Sequence, residues 1–224
     1  MRYDFVLFDA DETLFSFDIL AGMKVVFSRY GINFTQADYE HYQESNKKLW
    51  ISYQNGEISS DYLQITRFSE WGAKLNIAPK QLNDEFLDAM AQICEPLPGV
   101  VNLLTQLKGK AKLAIVTNGF HRLQSTRIHR AGLDGVFDYV VISELVGSAK
   151  PHKAIFEHTL SLLGNPSNDR VLMVGDTITS DILGGKNMGI DTCWLQHPGV
   201  INTSDIKPTY TISHLDELHE IIGI

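Results

Sequence analysis

Residues 5–14 read FVLFDADETL, four apolar residues followed at once by two aspartates, and this stretch decides the fold. Residues 171–181 read VLMVGDTITSD and again place aspartates after an apolar run. Buried parallel strands are short apolar runs, and ligands of open α/β sheets bind beyond the carboxyl ends of such strands. Carboxylates held together there would repel one another unless a divalent cation joined them. The pattern predicts that four aspartates meet at one edge of a sheet: Asp9, Asp11, Asp176 and Asp181.

Apolar runs alternate with helical patterns over most of the chain, which is typical of a mainly parallel sheet. We predict an α/β fold whose core is a Rossmann-like doubly wound parallel sheet. The predicted strands are residues 4–8, 112–116, 139–143, 171–175, 192–195 and 209–213. The predicted helices of this part are residues 121–131, 152–163, 180–188 and 215–222.

An inserted segment, residues 16–96, carries helical periodicity and no clear strand pattern. We expect four helices in it: one ending before Gly31, one capped by Thr35 and Asp38, one over residues 60–75, and one beginning at Pro79. The predicted domains are an α/β core of residues 1–15 and 97–224 and an all-helical cap of residues 16–96. Such an insert is expected to serve as a lid over the sheet edge.

Composition excludes several classes of function. The chain has 224 residues, a net charge of −8 and a pI near 5.4, with no basic stripe for a nucleic-acid polymer. No apolar run approaches the ~20 residues that span a bilayer, so no membrane association is expected. The start at Met1-Arg2-Tyr3-Asp4 predicts no signal peptide and a cytoplasmic protein, in which Cys94 and Cys193 would be packing thiols. The oligomeric state is not predicted.

Two further motifs follow predicted strands or open helices. Thr117, Asn118 and Gly119 end a strand with hydroxyl, amide and backbone N–H groups that could cradle phosphate oxygens, although an ordinary capped turn has the same composition. Lys150, before Pro151, could supply a point charge to a phosphoryl group, although most lysines are solvated.

The aspartates suggest chemistry of their own. Of Asp9 and Asp11, one could attack an electrophile while the other manages protons, although turns and helix caps also use this pattern. Asp176 could bind a hard cation, and Asp181 could complete the metal shell or orient its water, or simply lie at a helix start.

Four motifs, DADET, TNG, AKP and GDTITSD, occur in the order in which they occur in the haloacid dehalogenase-like superfamily, which the chain resembles over essentially its whole length. The helical insert resembles the type 1 cap of that superfamily. Further stretches resemble the YjjG-type pyrimidine 5′-nucleotidases: residues 8–15, 46–47, 49–50, 53–56, 117–120 and 181–185.

The resemblance implies a role for each matching residue. It implies that Asp9 is the nucleophile that forms an aspartyl-phosphate, and that Asp11 protonates the leaving oxygen and then activates water. The implied cofactor is Mg²⁺, held by Asp9, the main chain of Asp11 and Asp176, with Asp181 acting through water. Thr117, Lys150 and backbone N–H groups beside Asn118 are implied to bind the phosphoryl oxygens.

The implied function is a Mg²⁺-dependent phosphatase for phosphate monoesters, acting on pyrimidine nucleoside monophosphates such as UMP, dUMP or dTMP. Asn46, Trp50 and Tyr53 of the cap would suit a nucleobase, with packing inside the cap as the alternative for the two aromatic residues. The alternatives are a sugar phosphatase, a β-phosphoglucomutase-like phosphomutase, a 2-haloacid dehalogenase and a non-catalytic binding module. A carboxylate at Asp11 favours a phosphatase over a dehalogenase, which needs no leaving-group acid.

Overall fold

The computed structural model describes residues 1–224, and a six-stranded parallel sheet lies at its centre. The strands are β1 (Phe5–Phe8), β2 (Lys112–Thr117), β3 (Tyr139–Ile142), β4 (Val171–Gly175), β5 (Asp191–Leu195) and β6 (Tyr210–Ile212). Their order is β3-β2-β1-β4-β5-β6, and every neighbouring pair is parallel. All six predicted strands are present, and the predicted doubly wound α/β core is confirmed.

The central strands are apolar on both sides because both faces of the sheet are covered. Leu7 of β1 packs in a cluster with Val116, Met173 and Phe156, the last of these from a helix that connects β3 to β4. Val6 and Phe8, which alternate with Leu7 along β1, point to the other face of the sheet and are also buried. A continuous apolar run is what a strand buried on two sides requires.

Eleven α-helices accompany the strands. They are α1 (Ile19–Ser28), α2 (Gln36–Gln54), α3 (Ser60–Thr66), α4 (Ser69–Leu75), α5 (Pro79–Ile93), α6 (Val100–Leu107), α7 (His121–Arg130), α8 (Ser143–Val146), α9 (Lys153–Leu162), α10 (Leu183–Met188) and α11 (Leu218–Ile222). The prediction of one helix over residues 60–75 is wrong, since α3 and α4 are separated where Arg67 and Phe68 are both buried.

Local signals set several helix starts as predicted. The Thr35 hydroxyl accepts the Asp38 N–H while the Asp38 carboxylate accepts the Thr35 N–H, which is the capping box expected at the start of α2. Pro79 occupies the first turn of α5, where its missing N–H costs nothing. These caps account for the agreement between the predicted and observed starts of α2 and α5.

The backbone divides into two compact units. The core unit contains residues 1–16, 95–119 and 132–224, and the helical unit contains residues 17–94 and 120–131. The predicted domains place α7 in the core, within residues 97–224, whereas this division places it in the helical unit. Within the helical unit, the Arg122 guanidinium of α7 donates to both carboxylate oxygens of Asp88 of α5, each at 2.7 Å.

The two segments that leave the core unit pair with each other. The Ser16 N–H donates to the Glu95 carbonyl at 2.9 Å, and the Leu97 N–H donates to the Leu14 carbonyl at 2.9 Å. The Glu95 N–H in turn donates to the Ser16 hydroxyl at 3.1 Å. The outgoing and returning chains are therefore tied together inside the core unit, immediately after the DADET motif.

Neither membrane-spanning helices nor a disulfide occurs. None of the helices has both the length and the apolar character needed to cross a bilayer. Cys94 and Cys193 are buried free thiols, as predicted, and burial raises the pKa of Cys193 to about 12.

Candidate active site

The carboxyl ends of three adjacent strands carry the predicted motifs. β1 lies between β2 and β4 in the sheet, and Phe8 is level with Val174 of β4 and Ile115 of β2. The residue after each strand therefore emerges at the same edge. The Asp9 N–H continues the ladder by donating to the Val174 carbonyl at 2.9 Å, which fixes the backbone of Asp9 next to the start of the second acidic motif.

Lys150 is buried at the centre of this edge. Its side chain is 1% exposed, and its ammonium group donates to Asp9 Oδ1 at 2.5 Å and to the Val116 carbonyl at 2.5 Å. The same group lies 2.8 Å from Asp181 Oδ1. Burial alone would lower the pKa of Lys150, but the two carboxylates outweigh it and raise the pKa above its ordinary value. The lysine is therefore charged and is not the solvated residue of the alternative interpretation.

Three carboxylates come together beside that ammonium group. Oxygen atoms of Asp9, Asp176 and Asp181 all lie within 4.8 Å of one another. Burial, followed by repulsion from the neighbouring carboxylates, raises the pKa of Asp176 well above its usual range. Burial likewise raises the pKa of Asp9, with Lys150 opposing the shift.

This donor set fits a hard divalent cation. When all groups are ionised, the three carboxylates carry three negative charges and the Lys150 ammonium group carries one positive charge. Two negative charges are then left uncompensated. Carboxylate oxygens are the ligands that Mg²⁺ prefers in proteins. Burial is the largest cause of the raised pKa values of Asp9 and Asp176, and repulsion between the carboxylates adds to it. The residues present at this edge therefore fit the magnesium ion implied by the family resemblance.

Asp181 is held in place by the segment after β4. A π-helical turn over Ile178–Ile182 carries it back toward the strand, where Asp181 Oδ2 accepts the Thr177 N–H at 2.9 Å. Gly175 makes this possible, because a Cβ atom there would collide with the Asp181 carboxylate. Asp181 Oδ1 already pairs with Lys150, so both of its oxygens have protein partners. The bond between Asp181 and Lys150 was not predicted from the sequence.

Asp11 lies in a tight turn after β1 and is partly exposed. Its carboxylate is close enough to contribute to the raised pKa of Asp9, but it is outside the three-carboxylate group. Glu12 has a φ of 56°, in the left-handed region, and its carbonyl accepts a hydrogen bond from His197 Nε2 at 2.6 Å. His197 comes from the loop after β5 and was not among the predicted site residues.

The TNG motif organises the backbone around Lys150. The Asn118 side chain accepts the Lys150 N–H at 2.7 Å and donates to the Lys150 carbonyl at 3.0 Å. The Thr117 hydroxyl accepts the Gly119 N–H at 3.0 Å. The Asn118 side-chain amide therefore holds the backbone of Lys150 through two hydrogen bonds. This contact was not predicted from the sequence. The structure brings Thr117, Asn118 and Lys150 together, and their binding of phosphate stays a prediction.

The predicted specificity residues all lie on α2 of the helical unit. Asn46 is buried, accepts from the Tyr42 hydroxyl at 3.2 Å and donates to Gln43 at 3.0 Å. Trp50 is partly exposed and packs against Tyr53, with 5.8 Å between ring centroids. Trp50 also contacts Phe120, at 5.5 Å. Packing inside the helical unit therefore accounts for much of the surface of both aromatic residues.

A buried arginine of the helical unit was missed by the sequence analysis. Arg67 donates from Nε and Nη2 to the Asn83 amide oxygen, at 2.9 and 2.6 Å. Its guanidinium lies 5.1 Å from the ring centroid of Phe120 and 5.3 Å from that of Phe86. Burial lowers its pKa below the ordinary value. An arginine within a helical pattern is usually exposed, so the sequence carried no signal for its burial.

Comparison with known proteins agrees with this architecture. The family model of haloacid dehalogenase-like hydrolases matches residues 3–189. The chain is 51% identical over 222 residues to the pyrimidine 5′-nucleotidase YjjG of Escherichia coli (strain K12), covering 99% of each chain. It is 32% identical over 226 residues to the pyrimidine 5′-nucleotidase PynA of Streptococcus pneumoniae, covering 97% of this chain and 94% of that one.

A solved structure supports the same conclusion. The HAD-hydrolase YfnB from Bacillus subtilis, in a crystal form bound to magnesium, superposes with a TM-score of 0.86 and 29% identity over all of both chains. The family that the four motifs predicted is therefore confirmed by sequence and by fold. The chain belongs to the haloacid dehalogenase-like hydrolase family.

Proposed function

We propose that this chain is a Mg²⁺-dependent phosphatase that hydrolyses pyrimidine nucleoside monophosphates, such as UMP, dUMP and dTMP, through an aspartyl-phosphate. The observation that carries the proposal is the buried ion pair between Lys150 and Asp9, beside the carboxylates of Asp176 and Asp181. Two like charges ~4 Å apart repel by roughly 4 kcal/mol at an effective dielectric near 20. An attacking carboxylate therefore needs nearby positive charge before a phosphate dianion can approach it.

In the first step Asp9 acts as the nucleophile. One of its carboxylate oxygens forms a bond to phosphorus, and the bond between phosphorus and the ribose O5′ breaks. Asp11 gives its proton to the departing O5′, so that the nucleoside leaves as a neutral alcohol. The partial exposure of Asp11 and its position outside the three-carboxylate group suit a residue that exchanges protons.

In the second step Asp11, now a carboxylate, takes a proton from a water molecule. The water oxygen bonds to phosphorus, the bond between phosphorus and Asp9 breaks, and inorganic phosphate leaves. Lys150 stays charged throughout, and with Thr117 and the N–H groups beside Asn118 it would stabilise the phosphoryl oxygens.

The cation would be held by Asp9, Asp176 and the main-chain carbonyl of Asp11, with Asp181 supporting its shell. When bound, Mg²⁺ supplies Lewis-acid stabilisation of negative charge on the phosphoryl group. The structure of YfnB bound to magnesium is a neighbour whose described ligand agrees with this assignment.

The substrate class is supported by the relatives and by the helical unit. Two relatives that match over nearly the whole chain are described as pyrimidine 5′-nucleotidases. Trp50 provides a partly exposed indole, a kind of group that binds the face of a nucleobase. The amide of Asn46 is buried and bonded to Tyr42 and Gln43, so it would exchange these bonds to bind the edge of a base. We propose that Asn46, Trp50 and Tyr53 contribute to the choice of base.

A screen of phosphate release tests the function. Purified protein with Mg²⁺ is expected to release phosphate from UMP, dUMP and dTMP faster than from purine nucleotides or hexose phosphates. EDTA should stop the reaction and added Mg²⁺ restore it. Faster release from hexose phosphates would overturn the nucleotide assignment, isomerisation without release would indicate a phosphomutase, and halide release from 2-chloropropionate would indicate a dehalogenase.

Substitution of the nucleophile tests the mechanism. Asp9→Asn should lower kcat by on the order of 10⁴-fold or more, because the amide cannot form the covalent intermediate. Asp4→Asn is the matched control: Asp4 lies just before the same strand, and its carboxylate pairs with Arg170. We expect Asp4→Asn to keep its kcat, and a substantial kcat for Asp9→Asn would contradict the assigned role.

A further inference from the structure

The turn that carries Asp11 contains a conformation that its sequence does not favour. Glu12, the next residue, has a φ of 56°. A residue with a Cβ atom is disfavoured in this left-handed region, where glycine is the usual choice. Such a conformation persists only where the surroundings hold it, and it is commonly found at functional sites.

Two kinds of contact hold Glu12 in place. Within the turn, the Glu12 N–H donates to the Phe15 carbonyl at 2.7 Å, and the Phe15 N–H donates to the Ala10 carbonyl at 3.0 Å. From outside the turn, His197 Nε2 lies 2.6 Å from the Glu12 carbonyl oxygen. A carbonyl oxygen can only accept, so Nε2 carries the hydrogen and donates it. His197 is partly buried, and the loop that bears it is fastened separately by Gln196, whose side chain donates to the Val200 carbonyl at 2.7 Å.

We propose that His197 is a positioning residue for the proton transfer of Asp11. By holding the Glu12 carbonyl, it keeps the turn in the conformation that directs the Asp11 carboxyl group toward the leaving oxygen. The inference rests on the proposed function, because it concerns the proton that Asp11 would deliver. His197 itself touches neither substrate nor metal in this scheme.

The proposal predicts an effect that depends on the leaving group. A nucleoside alkoxide is a poor leaving group and needs the proton from Asp11, whereas p-nitrophenolate leaves readily without one. The parameter kcat/KM reports the steps up to the first irreversible one, which here is formation of the aspartyl-phosphate. A poorly positioned Asp11 should therefore lower kcat/KM for UMP and leave kcat/KM for p-nitrophenyl phosphate almost unchanged.

Three variants make the test specific. His197→Ala removes the hydrogen bond, and we expect kcat/KM for UMP to fall on the order of tenfold, part of the ~10²- to 10⁴-fold that a general acid contributes. For p-nitrophenyl phosphate the expected loss is below about twofold. His197→Gln, which carries an amide N–H at a similar reach, should restore most of the loss with UMP. Gln196→Ala loosens the same loop without touching Glu12 and should show no dependence on the leaving group.

Equal losses with both substrates, or no loss with either, would overturn the proposal. Failure of His197→Gln to recover activity, or a selective loss in Gln196→Ala, would also count against it. If the wild-type protein releases phosphate from neither ester, the proposed function fails instead.

Hydrogen exchange provides a measurement that does not require activity. We expect His197→Ala to speed exchange of the backbone amides in residues 10–15, because the turn loses its outside hydrogen bond. Gln196→Ala should leave that peptide as in the wild type. Unchanged exchange in His197→Ala would show that His197 does not hold the turn, whatever the enzyme does to its substrates.

Discussion

At the scale of single residues, Lys150 sets the charge balance of the site. Its ammonium group is almost completely buried, and it pairs with both Asp9 and Asp181. A buried charge is tolerated when its partners remain, but removing one member of such a group leaves the others uncompensated. Lys150 therefore links the stability of the fold to the arrangement of the nucleophile.

Removal of the Lys150 charge should therefore affect both stability and activity. Lys150→Met keeps much of the side-chain volume but removes the charge, and we expect it to lower the free energy of unfolding by about 3 kcal/mol and to abolish phosphate release. Urea unfolding measures the first effect. Lys153→Met is the control, since Lys153 is exposed at the start of α9, and it should change unfolding by less than about 0.5 kcal/mol. Equal stability of the two variants would contradict the proposal that the Lys150 charge compensates the buried carboxylates.

Sequence patterns identified the acidic and basic residues of the site but not their bonds. Asp9 and Asp176 follow strands, and Lys150 lies three residues before α9. The topology of a parallel sheet brings the ends of strands together. The hydrogen bonds between Asn118 and Lys150 and the contact of His197 with Glu12 join residues 32 and 185 positions apart. No local pattern encodes those pairs, because each depends on how the loops pack.

At the scale of elements, the π-helical turn after β4 determines where Asp181 lies. The turn begins two residues beyond Asp176 and returns the chain so that Asp181 packs directly against Gly175. The close approach of a side chain to a strand is possible only where the strand residue has no Cβ atom.

Gly175→Ala tests the importance of this approach. The added methyl group should displace the Asp181 carboxylate and weaken its bond to Lys150, so we expect kcat to fall at least about tenfold and the protein to be destabilised by about 1–3 kcal/mol. Gly185→Ala is matched in crowding, since its Cβ would meet the Thr192 side chain. That variant should lose stability while the kcat of its folded fraction is retained. A normal kcat in Gly175→Ala would be evidence against the role of Asp181.

Helices were less predictable than strands. The apolar runs of β1, β3 and β4 are unbroken, whereas the periodic pattern over residues 60–75 hides the break between α3 and α4. Nothing in the sequence around Arg67 and Phe68 resembles a helix stop, and their burial depends on contacts with Asn83 and Phe86 of α5. Helix α6 was not predicted, although Val100, Leu103, Leu104 and Leu107 recur at helical spacing and are buried.

At the scale of the whole molecule, the excess negative charge of the site should make global stability depend on pH and on metal. Because the pKa of Asp176 is raised, the folded protein binds more protons than the unfolded chain at pH values between the ordinary pKa of aspartate and the raised one. Stability of the metal-free protein should therefore decrease as pH rises through that range. A cation that binds only the folded state should restore it.

Asp176→Asn should weaken the dependence of stability on pH and on metal. Removing one of the mutually repelling carboxylates is expected to raise Tm in EDTA by a few degrees at pH 8, to flatten the decrease of Tm between pH 6 and pH 8, and to abolish the increase of Tm on adding Mg²⁺. Thermal unfolding at both pH values with and without Mg²⁺ measures all three. An Asp176→Asn protein that is still stabilised by Mg²⁺ would show that the cation binds elsewhere.

Composition along the chain predicted an inserted helical domain over residues 16–96. Residues 16–96 contain no strand pattern, and the structure places residues 17–94 in the helical unit. The assignment of α7 to that unit depends instead on contacts such as the Arg122–Asp88 pair, which joins residues 34 positions apart. Which compact unit a helix belongs to is therefore set by long-range contacts of this kind, which cannot be seen in the local sequence.

The burial of Lys150 has a consequence for the response of the enzyme to salt. Mobile ions screen exposed charges over about 8 Å at physiological ionic strength, but they screen buried pairs much less. The bonds from Lys150 to Asp9 and Asp181 should thus keep their strength in concentrated salt, while salt should weaken the repulsion between an anionic substrate and a protein of net charge −8. An internal counter-ion of this kind would let the catalytic groups work unchanged across media of very different salinity.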